Sequence, residues 1–427
     1  MQTDSNARAA LFRDGNFRWL MAGSAISLLG DQFTLIAFPW LVLRLTGDSA
    51  ALGIVLALIG VPRALFILIG GAVVDRFSPK RVLMVTKYIN TVLLGVLAAG
   101  AWYGGLSLPV LYLLALAIGI SSAFSIPSGT SILPHALQPA QLGAANGVMM
   151  GLRQLSMFLG PLAAGLLIAV FGDGGGSVQQ APGIAMAFAL DAASFALSAW
   201  TLARVRMHAM PAASRQEGLW RSIADGLRQV GRDPELRTCY LYWAAVAVLV
   251  LGPLHIALPV LASSRPELGA SALGLMIGAH GGGTLFGMVL SGMRPGLRIG
   301  TLGTSVLLAD IAIGLLFMPV GGITAAWQGV LLMVSIGVLG GFMQVAVFTW
   351  IQRRVAPAMI GRAMSLFMFI FMGLVPLSSA VTGWVLLHVS LVALFAICGA
   401  ALASIAALAW LVTPMRRISD AAGMQNA

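Results

Sequence analysis

Gly71-Ala-Val-Val-Asp75-Arg76-Phe-Ser-Pro-Lys80-Arg81 is a short charged segment between two long apolar runs, 51–74 and 82–103. Each run meets the requirement of about 20 residues for a helix that crosses a bilayer. The segment between them is too short to be a domain and too charged to lie in lipid. It predicts a tight loop on one membrane face, and its basic residues assign that face to the cytoplasm.

The same pattern runs through the chain. Its 427 residues are 59% hydrophobic and only 9% charged, against about 25% charge in a soluble domain. A soluble fold is excluded. Apolar runs occur at 17–45, 51–74, 82–103, 106–133, 142–171 and 184–203. A polar stretch follows at 204–237, then runs at 238–262, 271–292, 299–319, 323–351, 362–387 and 390–412. The first run is too long for a signal-peptide core, which spans roughly 7–15 residues. The prediction is an all-α membrane protein of twelve transmembrane helices in two six-helix bundles, 1–203 and 238–427, joined by a cytoplasmic linker, 204–237. Within the linker, Trp220, Ile223, Leu227 and Val230 fall at helical spacing and predict an amphipathic helix on the inner surface.

Of the 25 lysines and arginines, all but four sort to the even-numbered connections and the termini. Arg44 and Arg265 fall on the opposite side, and Arg63 and Arg153 fall mid-helix. This places both termini in the cytoplasm of a multi-pass protein of the bacterial inner membrane. Topology thus accounts for the net charge of +11, and nucleic acid is not an expected partner because aromatics do not interleave with the basic clusters. The only cysteines, Cys239 and Cys398, suggest neither a metal site nor a disulfide framework. No phosphate-cradling Gly-x-x-x-x-Gly-Lys-Ser/Thr loop is present, and no paired haem ligands. The expectation is a protein that is not an enzyme, holds no cofactor and works as a monomer.

Two halves are related by sequence. Pro139, Gly143 and Gly165 recur at constant spacing as Pro357, Gly361 and Gly383. Ser291-Gly-Met-Arg294-Pro-Gly-Leu-Arg298 is a worn counterpart of the opening segment. Paired six-helix repeats are a transporter signature.

These residues resemble the major facilitator superfamily from Phe17 to Val412. Gly71, Asp75, Arg76, Lys80 and Arg81 are similar to that family's loop signature, with Ser78 where the family usually has glycine. Leu29-Gly30-Asp31-Gln32, Pro62-Arg63, Phe124-Ser-Ile-Pro127, Ala145-Asn146 and Asp191-Ala192 look like the branch holding macrolide-efflux and enterobactin-exporting proteins. In the fifth helix, Gly151, Gly160, Pro161 and Gly165 resemble the antiporter motif of exporters, with Ala164 replacing one glycine. The fourth helix lacks the arginine that many drug–proton antiporters carry. The resemblance implies alternating access, with Asp75 facing the start of helix 11 near Gly361 and Arg362 as a cytoplasmic latch. The other reading of the loop is a topological anchor alone.

Asp31, Arg63, Arg153, Asp191 and Asp310 fall near helix midpoints. An ionised group there costs at least about 2.5–3.5 kcal/mol, so each requires a partner or water. Asp31 is the expected proton-coupling carboxylate, with Arg63 or Arg153 as its electrostatic partner. The alternative is a static ion pair that pins two helices. Asp191 and Asp310, on helices 6 and 9, which are peripheral in the fold of the resembled family, are expected to hydrogen-bond a neighbouring helix, with a functional role as the alternative. His255 and His280 are candidates for a proton relay or a substrate contact, or for interhelical hydrogen bonds. The small residues of helix 5 suit either a sealing seam or ordinary close packing.

Phe33, Phe38, Trp40, Phe124, Trp243, Met343, Phe348, Trp350, Phe367 and Phe371 give the expected cavity an apolar, adaptable character. The reading is proton-coupled export of an amphipathic or hydrophobic small molecule: a drug, macrolide or siderophore. The nearer alternative is an importer or a transporter of lysophospholipid-like lipids. A non-transporting sensor or scaffold would call for a sizeable soluble module, and the longest polar segment is 204–237.

Overall fold

The computed structural model describes residues 11–172, 181–207, 227–228, 230–294, 296–356 and 359–418. Among these it contains helices and no strand, and twelve helices are long and apolar enough to cross a membrane. They are α1 (Gly15–Thr46), α2 (Ser49–Phe77), α3 (Pro79–Tyr103), α4 (Leu108–Ala136), α5 (Leu142–Phe171) and α6 (Pro182–Arg204). The second set is α7 (Pro234–Ser264), α8 (Gly269–Met293), α9 (Leu302–Phe317), α10 (Ala326–Arg354), α11 (Ile360–Phe369, continuing through Val375–Val385) and α12 (Leu391–Val412). The expected twelve helices are therefore present. Trp220 and Ile223 of the expected linker helix lie outside the described residues.

Local chemistry sets the helix ends. Asp14 caps α1, its Oδ1 accepting from the backbone N–H groups of Asn16 at 2.8 Å and Phe17 at 3.1 Å. Gly47 closes α1 at φ 63°, donating its N–H to the Leu43 carbonyl. At 1.5 Å per residue, α1 is about 48 Å long, well beyond a hydrocarbon core of about 30 Å. Ser78 makes the corner between α2 and α3 and has φ 79°, the one positive value at a residue other than glycine among those described.

The helices gather into two compact units. The first holds the described residues of Met1–Gly47, Leu58–Arg215 and Gly269–Gly274. In it α6 is central, with α1 and α3 both packed along it, α5 against α1 and α4 against α3. Asn16 ties one end together. Its Nδ2 donates to the carbonyls of Ala136 and Arg206, and its Oδ1 accepts from the Arg206 N–H at 2.8 Å. Phe17, Leu20, Ile132, Leu133, Ala136, Ala145 and Leu202 form an apolar core at that end.

The second unit holds the described residues of Asp48–Ala57, Gln216–Leu268 and Leu275–Ala427. Here α9 packs on α10 and α12, and α7 on α11. Arg265 donates to the carbonyls of Ile323 and Gly321, fixing the end of α7 to the turn after α9. Packing puts the first turns of α2 in the second unit and the first turns of α8 in the first. Glycines make those crossings possible. An ideal Cβ on Gly383 would fall 3.0 Å from the Gly53 Cα, and one on Gly165 would fall 2.9 Å from the Gly274 Cα. Small residues let helix backbones approach this closely.

Candidate functional site: a charged cluster in the first unit

Charge enters the interior of the first unit on three helices. Asp31 is at the midpoint of α1, Asp191 near the midpoint of α6, and Lys87 eight residues into α3, about 12 Å along its axis. Asp191 and Lys87 are 1% and 8% exposed, whereas Asp31 is open. Asp31 lies within Coulombic reach of Lys87 and of Arg153 on α5, and Asp191 within reach of Asp31 and Lys87. No two of these groups form an ion pair within 4.0 Å among the described residues.

Hydroxyls complete the cluster. Thr34 Oγ1 donates to Asp191 Oδ2. Ser194 Oγ lies 3.1 Å from Asp191 Oδ1 and 2.7 Å from the Asp191 backbone carbonyl. Lys87 Nζ donates to Ser27 Oγ at a long 3.4 Å and lies 5.3 Å from the centre of the Phe195 ring. Asn90, one turn along α3 from Lys87, is buried and its Oδ1 has no hydrogen-bonding partner among the described residues. Gly30 allows all of this, because an ideal Cβ there would sit 2.1 Å from Ser194 Oγ and 2.5 Å from Asp191 Oδ1.

The other expected residues fall as follows. Arg153 is exposed on α5. Arg63 on α2 has an enclosed Nε without a hydrogen-bonding partner among the described residues, and it is not among the groups acting on Asp31. Gly160 packs beneath Gln32, whose side chain a Cβ would meet at 2.3 Å. Pro161 is buried inside α5, and Gly151 is open. In the loop segment, Arg76 and Arg81 are exposed and Gly71 has open space around it. Lys80 turns inward, and its Nζ donates to the carbonyls of Ala203 at 3.1 Å and Val205 at 2.7 Å, closing the C-terminal end of α6. The side chain of Asp75 lies outside the described residues, and α11 begins at Ile360, with Gly361 and Arg362 in its first turn.

In the second unit, Asp310 is buried on α9 and accepts from the Tyr242 hydroxyl of α7 at 2.8 Å. His280 is half-buried on α8, and His255 is exposed on α7. Part of the aromatic set comes together. Phe367 of α11 stacks against Tyr240, Trp243, Phe348 and Phe371 with ring centroids 5.1–6.1 Å apart. The Trp243 Nε1 is buried with no partner among the described residues. Phe38 and Trp40 are spent elsewhere, on Phe188 and under Arg44.

Lys87 was not expected here. The sorting of basic residues assigns it to the cytoplasmic end, seven residues beyond Lys80, but it is buried inside the unit. The available signal is a polar stripe, Thr86, Lys87 and Asn90, inside an apolar run at helical spacing.

The sequence profile of the Major Facilitator Superfamily matches residues 20–379. The multidrug efflux pump Tap of Mycobacterium tuberculosis is 29% identical over 355 residues, covering 80% of each chain. The enterobactin exporter EntS of Escherichia coli is 23% identical over 354 residues, covering 81% of this chain and 79% of EntS. Among solved structures, the nucleoside transporter NupG superposes with a TM-score of 0.72 at 15% identity, over 92% of this chain and 98% of NupG, a likeness of fold. The chain belongs to the major facilitator superfamily, a family of secondary transporters and not of enzymes.

Proposed function

We propose that this major facilitator transporter exports amphipathic or hydrophobic small molecules by alternating access, with protons as the coupling ion. One observation carries the reading. Asp31 is a carboxylate at the midpoint of a membrane-crossing helix, with Lys87 and Arg153 in electrostatic reach and, among the described residues, neither in an ion pair with it. A carboxylate is costly at that depth and is kept where water and protons reach it.

Export rather than import is favoured by the names of the relatives, one an efflux pump and the other an exporter. The ring cluster around Phe367, with a Trp243 Nε1 that has no partner among the described residues, suits an apolar cargo carrying one polar group. The basic end of the first unit, where Asn16, Lys80, Arg81 and Arg206 gather, is assigned to the cytoplasm of the bacterial inner membrane. With it go both termini.

The test is the susceptibility of a drug-sensitive bacterial strain expressing the chain, across a panel of antibiotics and dyes, with and without an uncoupler. Raised resistance that the uncoupler and Asp31→Asn both abolish supports the reading. Resistance that survives both contradicts proton coupling.

A further inference from the structure

The cluster has more carboxylate than one coupling residue needs. Two aspartates from different helices, α1 and α6, share one buried ammonium from α3, and the exposed Arg153 of α5 lies within electrostatic reach of Asp31. Among the described residues, these four are the charged groups within electrostatic reach of one another on the packed helices. Asp31 and Thr34 are three residues apart on α1 and so share a helix face, and Thr34 is bonded to Asp191. Asp191 is thus within about one turn of Asp31, yet one is open and the other sealed.

The partners of Asp191 matter. A hydroxyl donates to a carboxylate and accepts from a carboxylic acid. With Thr34 and Ser194 as neighbours, Asp191 gains or loses a proton without losing its hydrogen bonds. A permanent ion pair would instead bring Lys87 into contact. Its Nζ has one long bond to Ser27 and the face of Phe195, which leaves it underbonded and within electrostatic reach of both aspartates, Asp31 the more strongly.

We infer that Asp31, Asp191 and Lys87 form a single proton-exchange unit, in which Asp31 meets the water, Asp191 shares the proton in the sealed interior and Lys87 positions their common charge. The inference rests on the proton-coupled reading and extends it to two helices, α3 and α6. The proton enters from water onto the Asp31 carboxylate, is shared with the Asp191 carboxylate through the hydroxyl side of the cluster, and leaves to water by Asp31. No bond other than O–H forms or breaks. Lys87 acts through the aspartates and is a positioning residue.

The test uses the purified full chain in liposomes and needs no cargo. Infrared difference spectra between acid and neutral buffer report the carbonyl stretch of protonated carboxyl groups. The wild type gives a titrating carboxyl signal. Asp31→Asn abolishes most of it, and Asp191→Asn changes its position and lowers its midpoint. Lys87→Met removes a neighbouring cation and raises the midpoint by about one pH unit or more. Because a lone change in a buried charge endangers folding, the double variant Lys87→Met/Asp191→Asn is measured too, with thermal unfolding as the control. A merely structural role predicts altered unfolding with an unchanged titration in all Lys87 and Asp191 variants, and that result overturns the inference. A titration that shifts as stated, in a protein that moves no panel compound, keeps the proton unit and removes the transport reading instead.

Discussion

Ser78 turns the chain between α2 and α3 at φ 79° and ψ 132°, in a region that residues with a Cβ rarely occupy. The superfamily's usual glycine would hold the same corner without that strain. Ser78→Gly is therefore expected to stabilise the protein by about 1–2 kcal/mol, read as a higher unfolding temperature in detergent. Asp233, just before α7, is a second residue with a signed prediction. Its burial opposes ionisation. The fork from Arg354, at 2.8 and 3.2 Å, and the N–H groups of Leu236 and Glu235 outweigh that and hold its carboxyl below the usual carboxylate range. A lowered value in the folded state means that the ionised form contributes stability above about pH 4, the ordinary carboxylate value. The contribution is lost as pH falls through the lowered value. Asp233→Asn should flatten the acid limb of the stability profile and lower stability near neutrality by about 1–3 kcal/mol, as unfolding temperature against pH would show. Single residues were also where the sequence was least legible. The departure at Ser78 was visible as a letter, but its backbone angle was not. Lys87 was mis-sorted because counting basic residues along the chain records distance from a helix end and not which face is buried. Gly30 and Asp191 had no visible connection, since they meet only across the α1–α6 packing.

The broken helix α7 shows how elements position side chains. A π turn spans Ala247–Leu251, and the Gly252 N–H bonds the Ala247 carbonyl. Pro253 has no N–H to offer, so the Val248 carbonyl has no donor within its own helix. Ser378 of α11 supplies one at 2.7 Å, and Ser379 donates to the Gly252 carbonyl at 3.1 Å. This is how a proline break is tolerated inside a membrane helix. Ser378→Ala should lower stability by about 1–3 kcal/mol, measured by thermal unfolding, while Ser378→Thr, which keeps the hydroxyl, should lose less. Between α1 and α6 the close crossing depends on Gly30. Gly30→Leu forces a side chain into Ser194 and Asp191 and should cost about 1–3 kcal/mol or more, again by unfolding temperature. Helix number was legible because the hydropathy of each run is a property of adjacent residues. Helix partners were not, because α6 touches α1 and α3 across long sequence separations.

For the whole molecule, composition alone set the class: a chain with so little charge and twelve long apolar runs has no soluble alternative. The internal repeat pointed to two related units; the superfamily profile shows the family, and NupG shares the fold. The units are not charged alike. Asp31, Lys87, Arg153 and Asp191 lie in the first, while the second has Asp310 held by a tyrosine. The account assigns the energy coupling to the first unit and gives cargo contact a place in the aromatic cluster of the second. The most direct measurement is transport of an exported panel compound in liposomes, driven uphill by an imposed pH gradient, for the wild type and for Asp31→Asn. The account predicts that the variant loses uphill transport by at least tenfold, about 1.4 kcal/mol or more of coupling, yet still equilibrates the compound downhill. Undiminished uphill transport by Asp31→Asn would contradict it.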